Sequence, residues 1–196
     1  MHFHFIIALS LISFTGLSQA STIFTDPRDL QQYPIVKIEG KEWFASNLNW
    51  ESPQSECFED DSIACGDWGR VYPIAEMRNV CPTGWRTPNL SDWKGLQTVM
   101  DSLGVDALYD GTRWINNEQA GNETGLSLVP SGFKDKRKFL HQYYNCTIWF
   151  DIENEEGSNW HFHTDGNNNE SPYYFHTHGN ESEYRKFAVR CVRDGV

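Results

Sequence analysis

Basic residues are scarce in this sequence. Its 16 Lys and Arg residues stand against 27 Asp and Glu residues, which gives a formal net charge of −11 at pH 7 and a pI near 5.0. Proteins that bind nucleic acid or anionic membranes normally present a basic surface. The composition therefore argues against both kinds of partner, and solubility is sufficient to explain the acidic excess.

Long apolar runs are missing after residue 20, so no membrane-spanning segment is expected. An earlier apolar run, residues 5–17, is too short to cross a bilayer and is followed by Ser18-Gln19-Ala20. This pattern predicts a signal peptide over residues 1–20, although His2 and His4 replace the usual Lys or Arg before the run. No Cys follows Ala20, which argues against a lipid anchor there. We expect a poorly ordered leader at 21–32 and a single domain at 33–196, secreted or held at the cell surface or in the periplasm.

Cysteine is limited to five residues. In an exported chain this number suggests two disulfides and one remaining thiol. Four cysteines allow three pairings and five allow more, so the pairing stays open at this point. We favour Cys81 with Cys191, worth about 4 to 5 kcal/mol of loop entropy, and Cys57 with Cys65, worth about 2 to 3 kcal/mol. Cys146 is then expected to be buried as a small apolar residue.

Secondary-structure patterns indicate a mixed α+β fold. Residues 35–38 and 41–45 flank a Glu39-Gly40 turn, as expected for a β-hairpin. Asn89 and Gly104 are the end signals of an amphipathic helix whose apolar residues recur every three or four positions. Further strands are expected at 126–130 and 145–150, and a short helical segment at 71–80.

A polar loop is predicted at 51–66, closed by the proposed bridge between Cys57 and Cys65. It carries four carboxylates, the oxygen ligands that Ca²⁺ prefers, at Glu56, Glu59, Asp60 and Asp61. Their spacing fits no calcium-binding template, so a solvated loop is favoured.

Histidines alternate with other residue types in two segments near the C-terminus. In residues 160–163 (WHFH), His161 and His163 share one face of a strand. In residues 173–178 (YYFHTH), His176 and His178 share a face opposite Phe175. If these strands pair with their apolar faces inward, four imidazoles gather on one outer surface. Zinc accepts neutral imidazole at about 2.0 to 2.1 Å and needs three or four converging ligands, so these histidines are a candidate zinc site.

The histidine pattern has more than one interpretation. A structural zinc site needs only the ligands, whereas a hydrolytic site would also need bound water and a base such as Asp165 or Glu170. Alternatively, the histidines are ordinary polar surface, or they make binding pH-sensitive because imidazole titrates near neutrality. No motif positions a nucleophile, a base and an orienting residue together, so a non-enzymatic function is favoured.

Aromatic residues make up 14% of the chain and include eight tryptophans. Flat aromatic rings suit sugar rings and the hot spots of protein interfaces, but most large aromatic side chains are highly buried. We expect core positions for Trp43, Trp85 and Trp93. The candidate binding residues are those in or beside polar segments, namely Trp114, Trp160 and Tyr174.

Several motifs, in order, resemble the Fibrobacter succinogenes major paralogous domain family. They are residues 36–49 (VKIEGKEWFASNLN), 68–72 (WGRVY), 81–85 (CPTGW) followed by Pro88 and Trp93, 125–133 (GLSLVPSGF), Trp149, and 187–194 (FAVRCVRD). The resemblance covers about residues 33–194, almost all of the predicted mature chain.

That family is similar to C-type lectin-like domains, which implies a disulfide-stapled α+β fold. Two helices would flank a small antiparallel sheet, with a long irregular loop region before the closing strands. The resemblance also implies a bridge where Cys81 and Cys191 stand. The chain has neither the Glu-Pro-Asn nor the Trp-Asn-Asp run of calcium-dependent sugar-binding lectins, and the paired active-site cysteines of the similarly folded formylglycine-generating enzymes are not recognisable.

These observations together predict an exported, non-catalytic recognition module that binds carbohydrate or protein at the bacterial cell surface or outside the cell. The alternative is a zinc-binding domain, structural or hydrolytic, that uses the paired His-x-His strands. No other cofactor is expected.

Overall fold

A computed structural model of the chain describes residues 22–115, 120–153, 159–164, 174–176 and 184–195. The fold is α+β, as predicted. Within the described residues, the α-helices are α1 (Ser62–Trp68), α2 (Ile74–Met77) and α3 (Leu90–Leu103). Short 3₁₀ turns lie at Phe58–Asp60, Val105–Leu108 and Gly111–Arg113.

The two ends of the described chain meet in a four-stranded antiparallel sheet. Its strands, in spatial order, are β1 (Thr22–Thr25), β2 (Gln32–Ile38), β3 (Lys41–Phe44) and β11 (Val192–Asp194). β2 and β3 form the predicted hairpin, and Gly40 in its turn has a φ of 72°, which glycine adopts without a Cβ clash. The prediction of a poorly ordered leader at 21–32 is wrong for β1, because its backbone pairs with β2 from Thr22 to Thr25.

A second sheet has seven strands among the described residues and is larger than the small sheet expected. Its strands, in spatial order, are β6 (Lys138–Leu140), β5 (Phe133–Asp135), β10 (Arg185–Ala188), β7 (Thr147–Glu153), β8 (Asn159–His163) and β9 (Tyr174–His176), and β4 (Val71–Pro73) also pairs with β10. β10 runs parallel to β7 and antiparallel to β4 and β5. Strand β10, which lies near the C-terminal end of the chain, is therefore an inner strand of this sheet, between β5 and β7.

Helix α3 begins and ends where the sequence predicted. The side chain of Asn89 accepts hydrogen bonds from the backbone N–H groups of Ser91 and Asp92, and the Asp92 carboxylate accepts one from the N–H of Asn89 at 2.7 Å. This capping box satisfies donors that would otherwise lack partners at the helix start. At the other end, the N–H of Gly104 donates to the carbonyl of Met100.

The predicted helical segment at 71–80 is only partly helical. Its first three residues form strand β4, because Val71 and Tyr72 are buried opposite Ala188 and Phe187 of β10. Only the single turn of α2 follows. Pairing with a distant strand has overridden the local pattern here.

The predicted loop at 51–66 contains most of a helix, α1. Asp61 starts this helix by accepting a hydrogen bond from the N–H of Ile63 at 2.8 Å. The side chain of Glu56 lies between the ammonium groups of Lys134 and Lys186. The carboxylates of Asp61 and Glu56 are therefore engaged in contacts that stabilise the fold.

Two apolar clusters lie on opposite faces of the seven-stranded sheet. Ile148 and Phe150 of β7 belong to a cluster beneath α3, whereas Trp149 between them belongs to a second cluster with Phe187. Successive side chains of a strand point to opposite faces, which explains this division. The tryptophans expected in the core are all buried, with Trp43 and Trp93 in the first cluster and Trp85 in the second.

The disulfides are Cys81–Cys191 and Cys57–Cys65, the pairs that the sequence analysis favoured. The first closes a loop of 110 residues and joins the segment before α3 to the start of β11. Cys146 is a free, fully buried thiol. None of the helices in the described residues is long and apolar enough to cross a membrane.

Candidate functional site

Three of the four candidate metal ligands come together on one sheet face. His161 and His163 lie two residues apart on β8 and share a face, and His176 lies directly opposite His161 on β9. Directly opposed residues have Cβ atoms about 4.5 to 5.5 Å apart. The fourth candidate, His178, lies outside the described residues, as do the candidate bases Asp165 and Glu170.

The three imidazole rings form a compact triangle. The ring centroid of His176 is 4.8 Å from those of His161 and His163, and the latter two are 5.6 Å apart. One potential ligand nitrogen from each ring lies within 4.8 Å of the other two. The arrangement therefore offers three nitrogen ligands to a single ion.

The histidine face is not the open outer surface that the sequence analysis expected. His161 is only 2% exposed, and its ring centroid lies 4.6 Å from that of Phe187 and 6.2 Å from that of Trp149. The reason is the register of the sheet, since Trp149 on β7 pairs with His161 and directs the second apolar cluster to the same face. His163 and His176 are half-buried.

The surroundings of His176 favour its neutral form. Burial lowers the pKa of His176, and the positive charge of Arg185 lowers it further. Arg185 is itself paired with Asp135, at 3.5 Å. The side chain of Asn145 lies 3.4 Å from Nδ1 of His163 and helps to orient that ring. A neutral imidazole is the form that binds a metal ion.

Trp114, expected at the surface as a binding residue, is part of the core. It is 3% exposed, stacks on Tyr109 with 4.5 Å between ring centroids, and donates its indole N–H to the carbonyl of Leu128 at 3.0 Å. The ring of Trp114 is thus packed within the protein, and its indole N–H has a hydrogen-bond partner there. Trp160 and Tyr174 belong to β8 and β9, and their side chains lie outside what the structure describes.

An open aromatic cleft of about 450 Å³ lies beside Trp114. Its apolar lining includes Ile115 and Tyr143, which are 49% and 45% exposed. Trp68 meets Tyr143 edge-to-face, with 5.4 Å between ring centroids. The remaining lining residues are Trp114 itself and the polar residues Asp67, Thr112 and Arg113. No local sequence pattern marks Trp68 or Tyr143 as a binding residue, because distant packing decides which side chains stay accessible.

Backbone contacts hold one wall of the aromatic cleft in place. Gly69 follows Trp68 with a φ of 76°, and a Cβ there would lie 2.5 Å from Cβ of Asn47. This close approach lets the Asn47 amide donate to the carbonyl of Trp68 at 2.8 Å. The Cys57–Cys65 disulfide anchors the same helix.

The other wall is linked to the first. The guanidinium of Arg113 lies over the ring of Trp68, 5.3 Å from its centroid, and donates a hydrogen bond to the carbonyl of Asp67. The N–H of Ile115 donates to the carbonyl of Tyr143 at 3.3 Å. The aromatic cleft is therefore preformed.

The chain belongs to the Fibrobacter succinogenes major domain family, whose sequence model matches residues 36–193. This match confirms the resemblance found in the motifs and covers nearly all of the described residues. No curated protein and no solved structure is significantly similar to the chain.

Proposed function

We propose that this member of the Fibrobacter succinogenes major domain family is an exported, non-catalytic recognition module that binds carbohydrate in the aromatic cleft. The observation that carries the proposal is a pair of rings in contact, half-buried Trp68 and exposed Tyr143, in a cleft that also presents charged and hydroxyl groups. Large apolar side chains left at a concave surface are typical of binding sites.

The chemistry of the lining fits a sugar better than a purely apolar ligand. A sugar ring has apolar C–H faces, which pack on aromatic rings, and an edge of hydroxyl groups, which need hydrogen-bond partners. Asp67 and Thr112 can accept hydrogen bonds from a ligand and Arg113 can donate them; the hydroxyl proton of Thr112 is already donated to Asp110 at 2.6 Å. All three stand around the aromatic lining.

The backbone at Tyr143 supports the assignment. Its φ is 70°, a conformation that non-glycine residues rarely adopt and that costs on the order of 1 to 3 kcal/mol. Such strain is often found at binding sites, where the surrounding structure maintains it. Here the N–H of Tyr143 donates to the carbonyl of Pro130 at 2.8 Å, and its carbonyl accepts from Ile115.

Export is supported by the disulfides and by the predicted signal peptide at residues 1–20. Disulfides such as Cys57–Cys65 and Cys81–Cys191 form and persist in oxidising compartments. We also propose the C-type lectin-like fold that the family resemblance implies, with which the α+β architecture is compatible. The proposed sugar contacts use no calcium, in keeping with the missing calcium-dependent sequence motifs.

The proposal is tested by binding the purified protein to immobilised oligosaccharides and to insoluble cell-wall polysaccharides. Trp68→Ala and Tyr143→Ala should each weaken binding by about 10- to 100-fold, as expected for loss of an aromatic anchor. Tyr144→Ala is the matched control, because Tyr144 is 37% exposed beside Tyr143 but does not line the cleft.

Binding of the Tyr144 variant should equal that of the unmodified protein. Retention of full glycan binding by both cleft variants would refute the cleft as the site. Binding to protein ligands alone, with no glycan retained, would refute carbohydrate as the ligand class.

A further inference from the structure

We propose that His161, His163 and His176 bind one Zn²⁺ ion, and that this ion fastens strand β9 to strand β8. The site is separate from the aromatic cleft, with which it shares no lining residue. Zn²⁺ at this site would make the attachment of β9 metal-dependent in the proposed recognition module.

The ring spacing matches that of zinc ligands. With Zn–N bonds of about 2.0 to 2.1 Å, a tetrahedral site places its nitrogens about 3.3 Å apart and its imidazole centroids about 5.2 Å apart. The observed centroid distances of 4.8, 4.8 and 5.6 Å lie on both sides of that value. Because the nitrogens lie within 4.8 Å of one another, each needs to move inward by at most about 0.9 Å. Small χ2 rotations provide such movement, since this torsion is broad in histidine.

The register of the sheet makes this arrangement specific. His161 and His176 are opposed on neighbouring strands, and His163 is the next residue on the same face. A shift of β9 by one residue would turn His176 to the other face, where Phe175 now stacks on Trp93 with 3.9 Å between ring centroids. The packing of Phe175 therefore holds His176 in the ligand position.

His161 packs against the second apolar cluster. Trp149 and Phe187 flank His161 and exclude water from one side of the cluster. Three protonated imidazoles would repel one another at these distances, whereas three neutral ones can bind one cation together. His163 and His176 are half-buried, which leaves room for a water molecule or a further side chain as the fourth ligand.

A structural role follows from the position of β9. This strand has three residues and lies at the end of the seven-stranded sheet, where β8 is its neighbour. A zinc ion bound to His161, His163 and His176 would add a cross-link between the two strands to their hydrogen bonds. Metal sites of this kind contribute directly to folding free energy.

The test uses the full protein, exported into an oxidising compartment and purified without a polyhistidine tag. After dialysis against EDTA and then buffer, titration with ZnCl₂ in a calorimeter should show one equivalent bound. His163→Ala and His176→Ala should each weaken Zn²⁺ binding by on the order of 100-fold, because each removes one of three protein ligands. His141→Ala is the control, since this exposed histidine stacks on Phe133 away from the cluster and its loss should leave zinc affinity unchanged.

A further variant separates metal binding from folding. His161→Phe places an aromatic ring of similar size between Trp149 and Phe187, so the domain should still fold while losing zinc. In the unmodified protein, Zn²⁺ should slow backbone hydrogen exchange at residues 159–164 and 174–176, and in His161→Phe it should have no such effect. Failure to bind a stoichiometric ion, or unchanged affinity in both alanine variants, would overturn the proposal. Zinc binding without slower exchange in β9 would overturn its structural role.

Discussion

Arg190 donates a hydrogen bond from Nε to Oδ1 of Asn47 at 2.7 Å, in an interior position that is fully buried. The same guanidinium donates to the carbonyls of Phe44, Leu126 and Ser127. Burial lowers the pKa of Arg190 to about 10, so it is still charged at neutral pH. Since Asn47 also holds the carbonyl of Trp68, this arginine connects the centre of the fold to the wall of the aromatic cleft.

Replacing the arginine should destabilise the whole domain. Arg190→Met leaves four acceptors without this donor, three of them buried, and we expect a loss of about 3 to 5 kcal/mol in the free energy of unfolding, measured by urea denaturation. Arg137→Met, at the exposed tip between β5 and β6, should change it by no more than about 0.5 kcal/mol. A loss below about 1 kcal/mol in Arg190→Met would contradict the role assigned to this network.

The two disulfides should differ in their contribution to stability. Removing the Cys81–Cys191 bridge with paired alanines frees a loop of 110 residues and should cost about 4 to 5 kcal/mol, whereas removing Cys57–Cys65, with a separation of eight, should cost about 2 to 3 kcal/mol. The measurement is the urea midpoint of each double variant. Equal losses would show that strain or denatured-state structure outweighs loop entropy.

Cys146 should be chemically inert in the folded protein. Burial raises its pKa to about 12, and the reactive thiolate is therefore almost absent at pH 8. Mass spectrometry should detect no iodoacetamide adduct on the native protein and one adduct after unfolding in guanidinium without reductant. Rapid labelling of the native protein would mean that Cys146 becomes exposed by local opening.

Glu42 should contribute to a loss of stability in acid. A hydrogen bond from Arg193 lowers the pKa of Glu42 against an opposing effect of burial, and Lys37 lowers it further. Its folded pKa thus lies below the unfolded value of about 4.3. The stabilisation is complete above that value and is lost as the pH falls through the folded pKa.

Glu42→Gln should therefore show a shallower dependence of unfolding free energy on pH between about 5 and 2 than the unmodified protein. Urea denaturation at several pH values measures this slope. If Glu42→Gln kept the slope of the unmodified protein, Glu42 would not be a source of the acid sensitivity.

Local sequence signals predicted the elements that local chemistry controls. Helix α3 has an asparagine cap at Asn89 and a glycine end at Gly104, and the β2–β3 hairpin has Gly40 where a positive φ is required. These predictions needed only helix capping, apolar periodicity and turn chemistry. The favoured disulfide pairs also agree with the structure. Cys81–Cys191 is favoured because closing a long loop gives the larger entropic gain.

Tertiary structure decided which side chains are exposed. Trp114 lies among polar residues in the sequence, yet the carbonyl of Leu128 and the ring of Tyr109 give it a buried place. Trp68 and Tyr143 lie far apart in sequence, yet their rings meet in the aromatic cleft. Exposure depends on which distant segment covers a residue, and local patterns contain no information about that.

The sequence by itself determined that His161 and His163 share one strand face, because side chains alternate along any strand. It did not determine that His176 would stand opposite His161, nor that Trp149 and Phe187 would bury that face. Those relationships depend on the register of β7, β8 and β9 and on the placement of β10 beside β7. Register and strand order are set by the packing of the whole core, so only the tertiary structure could bring the three histidines to one point.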